Sequence, residues 1–272
     1  MKALSLIPLA IVACLGTTGF AQTPSQAKDL CLKWMTSDHC DCAAGRLSPK
    51  HLETYSRVMG ASVEDDKEAA TAIMIEAVGL DREKLNALNA AVQTVMKQCP
   101  GGVNPAVVIA NRSEAIRRNP RDVSAVTTRA EAYFDQGDYP RAIADFGAAI
   151  RLEPANPQFW NSRCWARAVW GRELDLALAD CNESLRLLSG DSNTLDSRGF
   201  VHLRRGEFEA AIKDYDAAIK SAEPGSESAS LYGRGLARLR MGQTANGRAD
   251  INAATAQDSK VAAEFAGYGL AP

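Results

Sequence analysis

The sequence predicts an all-α protein: a solenoid of helix hairpins preceded by a smaller helical module that carries four cysteines. Three observations predict it. A register of Arg, small residue, Gly, small residue and Asp recurs four times, the Arg positions being spaced by 34, 35 and 36 residues. Apolar and small residues within each unit fall at helical spacing. Gly and Pro stand where the two helices of a unit must end.

The chain opens with Lys2 and an apolar run, Ala3 to Leu15, interrupted by Ser5 and Pro8. Gly19-Phe20-Ala21 then supplies small residues around a cleavage point, so 1–21 reads as an export signal. The run is shorter than the roughly 20 residues that span a bilayer. Ile11-Val12-Ala13-Cys14 also has the form of a lipidation box, which would make Cys14 an anchored N-terminus. The bulky Leu15 and the short preceding segment favour soluble export. The expected location is the periplasm or the outside of the cell, with an envelope lipoprotein as the alternative.

Residues 22–103 predict a separate helical module. A first helix lies around Lys28 to Met35, and a second runs from Ser48-Pro49 to Met59-Gly60. A third runs from Ser62 to Gly79. A fourth starts at Asp81 with Leu85, Leu88, Val92, Val95, Met96 and Cys99 on one stripe. The solenoid then occupies 104–272. Asn104 as N-cap and Pro105 at N1 start a helix that reaches about Arg118.

Four hairpins follow, at 123–156, 157–191, 192–227 and 228–258. Their marker residues are Arg129, Arg163, Arg198 and Arg234, then Gly137, Gly171, Gly206 and Gly242, then Asp145, Asp180, Asp214 and Asp250. The second unit carries one extra residue in its turn. The fourth has Gly247 where the others have Ala and lacks a closing Pro, which makes its second helix the least regular. A capping helix over 259–268 offers Val261, Phe265 and Tyr268 to cover the last repeat, because a terminal repeat otherwise exposes its apolar face.

A period near 34 residues with this order of small and aromatic positions resembles the tetratricopeptide repeat. The stretches 129–146, Arg-Ala-Glu-Ala-Tyr-Phe-Asp-Gln-Gly-Asp-Tyr-Pro-Arg-Ala-Ile-Ala-Asp-Phe, and 198–215 carry the resemblance most closely, and it covers about 105–268. With Leu231 to Gly235 and Glu264 to Gly269, the run is similar to exported repeat proteins of alphaproteobacteria. The resemblance implies a right-handed superhelix whose first helices line a concave, protein-binding face.

By register that face carries Thr127, Glu131 and Phe134, then Asn161 and Trp165, then Asp196, Phe200 and Leu203, and finally Tyr232, Leu236 and Leu239. Aromatic residues at successive repeats suit capture of a peptide or protein. Packing between repeats is the competing reading, above all for Leu203 and Leu239. Trp165 and Phe200 fit either role.

Six cysteines follow the signal: Cys31, Cys40, Cys42, Cys99, Cys164 and Cys181. An even number in an exported chain points to disulfides. Cys40 and Cys42 are too close to pair with each other. Two connectivities remain: Cys31–Cys40 with Cys42–Cys99, or Cys31–Cys42 with Cys40–Cys99. A metal or redox centre built from these cysteines and His39 is the alternative, but the single residue between Cys40 and Cys42 is short of zinc-site spacing. The family register sets Cys164 opposite Cys181, as a bridge worth about 3 kcal/mol or as two small buried residues.

Each marker Arg has an Asp sixteen or seventeen residues later on the antiparallel helix. Structural pairing of Arg129 with Asp145, Arg163 with Asp180, Arg198 with Asp214 and Arg234 with Asp250 is therefore expected, rather than an anion site. With 31 basic and 33 acidic residues the chain has no basic excess, which argues against a nucleic-acid partner. His39, His51 and His202 lie far apart and no phosphate loop or two-His metal helix occurs. The expectation is a non-enzymatic scaffold without cofactor or metal.

Overall fold

The computed structural model describes residues 29, 31, 32, 35, 40, 43, 52–54, 56, 57, 73 and 104–272. They belong to two compact units, Met1–Asn111 and Arg112–Pro272. The segment 1–21 expected to be an export signal, Cys14, Cys42, Cys99, His39, His51 and the helix expected from Asp81 lie outside the described residues.

In the first unit, Cys31 is bonded to Cys40, their Cα atoms 5.7 Å apart. Both are fully buried, together with Ala43, Met35 and Leu52. Residues 52–54, 56 and 57 are helical, and the Ser56 hydroxyl donates to the Leu52 carbonyl at 2.7 Å, one turn back.

From Pro105 onward all the elements are helices. Helix α1 is Pro105–Arg118, and Asn104 Oδ1 accepts the Ala106 N–H at 3.0 Å at its start. Four hairpins follow: α2 (Val123–Asp135) with α3 (Tyr139–Leu152), α4 (Pro157–Trp170) with α5 (Leu174–Leu187), α6 (Ser192–Arg205) with α7 (Phe208–Ser221), and α8 (Ser228–Arg240) with α9 (Thr244–Gln257). A short α10, Val261–Gly267, closes the series inside the 259–268 expected from the apolar stripe. Side chains of Asp122, Asp138, Asn156 and Asp191 accept first-turn N–H groups of α2, α3, α4 and α6. Turn glycines 137, 171, 206 and 242 take φ of +75°, +72°, +75° and +76°, the left-handed geometry that ends each first helix. The extra residue of the second turn is absorbed by Glu173 at φ +55°.

The four hairpins share one ion-pair geometry. Arg129 Nε and Nη2 donate to Asp145 Oδ2 and Oδ1 at 2.7 and 2.8 Å. The corresponding distances are 2.9 and 2.6 Å for Arg163 on Asp180, and 2.7 and 2.7 Å for Arg198 on Asp214. Arg234 on Asp250 gives 2.9 and 2.8 Å. All four carboxylates are buried. The third guanidinium nitrogen reaches the helix just before the hairpin: Arg129 Nη1 to Ser113 of α1 at 3.1 Å, Arg198 Nη1 to Asn182 of α5 at 2.8 Å and Arg234 Nη1 to Asp216 of α7 at 2.6 Å. Gly147 holds that position opposite Arg163 and has no side chain to accept.

Around the pairs, size alternates. Cys164 is bridged to Cys181 with a Cα separation of 5.5 Å. At the same two positions the third repeat has Gly199 facing the fully buried ring of Tyr215, and the fourth has Gly235 facing Ile251. The fourth repeat's second helix is regular over its full length. Its Gly247 sits so close to α8 that a Cβ would meet Leu239 Cγ at 2.8 Å and the Gly235 carbonyl at 2.9 Å.

Two outcomes are expected from this packing. Asp214→Ala should lower unfolding free energy in urea by about 3 kcal/mol, at the low end for a buried pair because Arg198 keeps a quarter of its side chain in solvent. Arg198→Met with Asp214→Leu should cost less than the single change. Gly247→Ala should cost about 1–3 kcal/mol by overpacking, while Gly267→Ala, whose Cβ meets nothing within 4 Å, should not destabilise.

Candidate functional site

The face of the first helices is where the repeats bring side chains together, and the chain's own end lies on part of it. Phe265 of α10 packs on Tyr232 at 4.8 Å and on Phe200 at 5.7 Å between ring centroids. Tyr268 stands 5.7 Å from both Phe200 and Trp165, and Trp165 stands 5.0 Å from Phe200. The backbone of the tail is held as well. Arg204 donates to the carbonyl of Tyr268 and, at 3.3 Å, to that of Val169. Arg240 Nη2 donates to the Ala271 carbonyl at 2.9 Å.

This narrows the groove read from the sequence, where packing is the competing reading for Leu203, Leu239 and Phe200. Phe200, Tyr232 and Leu236 are 1–2% exposed, and Leu203 is buried too, so they form core under α10 and the tail rather than a free wall. Leu239 packs on Gly247 inside its own hairpin. The Val261, Phe265, Tyr268 stripe was legible at helical spacing, but that spacing does not say that Tyr268 reaches two repeats back. Arg204 and Arg240 carried no sequence signal, because an arginine that pairs with backbone carbonyls has no partner type to look for.

The first two repeats keep an accessible face. Glu131 is exposed, and Thr127 and Phe134 are half-buried. Thr127 Oγ1 donates to the Val123 carbonyl at 3.0 Å, and Phe134 packs edge-on against Tyr139 at 5.5 Å. Partial desolvation raises the Glu131 carboxyl above its usual range, and the field of Asp135 adds to this. Burial raises Asp135 as well.

A cavity of about 410 Å³ opens where α4, α6 and α8 meet α10. Asn161, Trp165, Asp196, Ser230, Phe265 and Tyr268 form its interior, and Glu264 stands exposed at its edge. The Asp196 carboxylate accepts the Ser230 hydroxyl. Burial pushes its pKa from 3.8 to about 6, against the lowering effect of that hydrogen bond. Asn161 Oδ1 is buried and accepts no hydrogen bond from any described residue. Burial raises the Tyr268 hydroxyl, and the fields of Glu264, Tyr139 and Asp196 add to it.

Among the described residues no group of three or more His, Cys, Asp or Glu could hold a metal ion, and no helix is long and apolar enough to cross a membrane. His202 lies beside the ion pairs rather than in the cavity, with Nδ1 2.6 Å from Glu207 and Nε2 3.6 Å from Asp214.

Asp196 generates a pH signature. Its folded pKa lies above the unfolded value, so the folded state holds the proton more tightly. Its contribution is present below about pH 4 and declines as pH rises through about 6. The melting temperature of the wild type should therefore fall more steeply between pH 4 and pH 6 than that of Asp196→Asn. Parallel curves would contradict the burial of this carboxyl.

The repeats match known proteins at the level of the hairpin unit. A family model described as "TPR repeat" matches residues 130–163, and one described as "Tetratricopeptide repeat" matches 198–262. The human mitochondrial import receptor subunit TOM70 is 24% identical over 193 residues, which is 70% of this chain and 32% of that protein. Rat serine/threonine-protein phosphatase 5 is 28% identical over 107 residues, 38% of this chain and 20% of that protein. The chain thus spans a third or less of these relatives. Among solved structures, TTC0263, a thermophilic TPR protein of Thermus thermophilus, superposes with a TM-score of 0.51 at 17% identity, covering 60% of this chain and 90% of that one. The APC/C hetero-tetramer Cut9-Hcn1 gives 0.54 at 16% identity, covering 81% and 42%. Period, hairpin geometry and both family matches agree: the chain carries tetratricopeptide repeats.

Proposed function

We propose that the chain is a non-enzymatic scaffold that binds a peptide or protein partner on the concave face of its first helices and works in the periplasm or outside the cell. One observation carries the binding reading. The face already accommodates a peptide segment, the chain's own 261–271, through aromatic rings and through Arg204 and Arg240 donating to backbone carbonyls. Recognition of a backbone plus alternate aromatic side chains is a general mode of peptide capture. The accessible part of the face, with exposed Glu131, half-buried Thr127 and Phe134 and the uncovered edge of Trp165, is left for a partner.

Export rests on the segment 1–21 and on the bridges Cys31–Cys40 and Cys164–Cys181, since disulfides persist in oxidising compartments. The sequence Ile11-Val12-Ala13-Cys14 supports a second reading, an envelope subunit anchored through a lipidated Cys14. Mass spectrometry of the mature protein separates them: a chain starting at Gln22 is soluble, and an acylated Cys14 is anchored.

The binding test compares proteins recovered from an envelope extract by the wild type and by a Glu131→Arg, Trp165→Ala variant. Partners recovered by the wild type should be lost from the variant, with helicity and melting temperature showing that it remains folded. A folded variant that keeps every partner would move the binding site away from this face.

A further inference from the structure

The cavity between α4, α6, α8 and α10 has the chemistry of a binding site in its own right. Its volume of about 410 Å³ lies within the range of small-ligand sites. Its walls combine three aromatic rings, Trp165, Phe265 and Tyr268, with the acceptors Asp196, Asn161 Oδ1 and Glu264. Among the described residues no Lys or Arg lines it.

The sign of the ligand follows from these groups. Helix N-termini border the cavity and would by themselves favour an anion. Those of α4 and α6 are already closed by Asn156 and Asp191, whose side chains accept from Gln158 and Thr194, whereas that of α8, with Ala229 and Ser230 on the wall, has no side-chain cap. The interior then presents a carboxylate and a buried amide oxygen that accepts nothing among the described residues. A buried acceptor without a donor costs about 1–3 kcal/mol, and a donor from the ligand would remove that cost. Asn161 and Asp196 occupy the same position in successive repeats, 35 residues apart, so both project from adjacent first helices into one space.

We propose that this cavity binds a primary alkylammonium group, its N–H donors shared between Asp196 and Asn161 Oδ1 and its methylenes lying against Trp165 and Tyr268. Three N–H donors suit the two interior acceptors and the Glu264 edge, and aromatic faces add attraction for a cation. A quaternary ammonium, which has no N–H, satisfies neither Asn161 nor Asp196. The group has two sources, a free diamine or a lysyl side chain presented by a peptide. This site goes beyond the scaffold reading, because a free amine would bind it with no partner protein present.

Calorimetric titration of the full-length protein at pH 8, where Asp196 is ionised, tests the proposal. The probes are cadaverine, Nα-acetyl-lysine methylamide, choline and glutarate. At least one of the two primary amines should bind with a Kd of about 1 mM or below, the tighter arm naming the source. Choline should bind about tenfold more weakly and glutarate not at all. Asp196→Asn and, separately, Asn161→Leu should each weaken amine binding about tenfold with unchanged helicity. If one variant fails to fold, the other decides. The proposal is overturned if neither amine binds up to about 10 mM, if choline matches the amines, or if folded variants bind as the wild type does.

Discussion

The antiparallel pair of Arg and Asp at the centre of each hairpin sets how the helices meet. One guanidinium makes two parallel bonds to the carboxylate of its own hairpin and, in three of the four units, a third to the helix just before that hairpin. A single side chain thus ties three helices at one level. Such a pair must offset the desolvation of both charges, so it contributes little net stability and acts mainly against wrong registers. Sliding one helix by a single residue would leave a buried carboxylate facing an apolar neighbour. In the second and fourth units a further cation one turn on, Arg167 or Arg238, also meets the Asp, and in the third His202 stands there.

The core around these pairs follows from the level they set. Directly after each Arg comes a small residue, and directly after each Asp comes its counterpart across the hairpin. Where the first is Gly199, the second is Tyr215, whose ring lies 3.0 Å from the Cβ position of Gly199 and meets that of Gly233 as well. Where the first is Gly235, the second is Ile251. The second repeat puts Cys at both positions and closes the gap with a covalent bond instead of a large side chain. One geometric slot therefore accepts two solutions, bulk against glycine or a disulfide.

The same packing determines what surface is left for function. Regular stacking of first helices lines up aromatic residues on one face. Burial of that apolar area is favourable whether the occupant is a partner or the chain itself. The C-terminal segment takes the half of the face built by the third and fourth repeats, and Arg204 and Arg240 satisfy its carbonyls. What remains accessible is the acidic first-repeat portion with Glu131 and Asp135, and the cavity beside α10 where Asp196 and Asn161 face aromatic walls.

The sequence by itself determined the helical class and the solenoid architecture. Those depend on local chemistry repeated at a nearly fixed period: the cap at Asn104, glycines at the turns, and Arg and Asp sixteen or seventeen residues apart. Local rules lose force where a residue's environment is made by segments distant in the chain. Phe200 and Tyr232 are identical in pattern to exposed groove residues, and only the folded position of Phe265 and Tyr268 makes them core. Asp196 reads as a polar surface residue until the tail closes over it. A helical stripe specifies that α10 must cover something apolar, and only tertiary structure decided what it covers, because every first helix offers a similar apolar face and packing against several of them at once buries the most area.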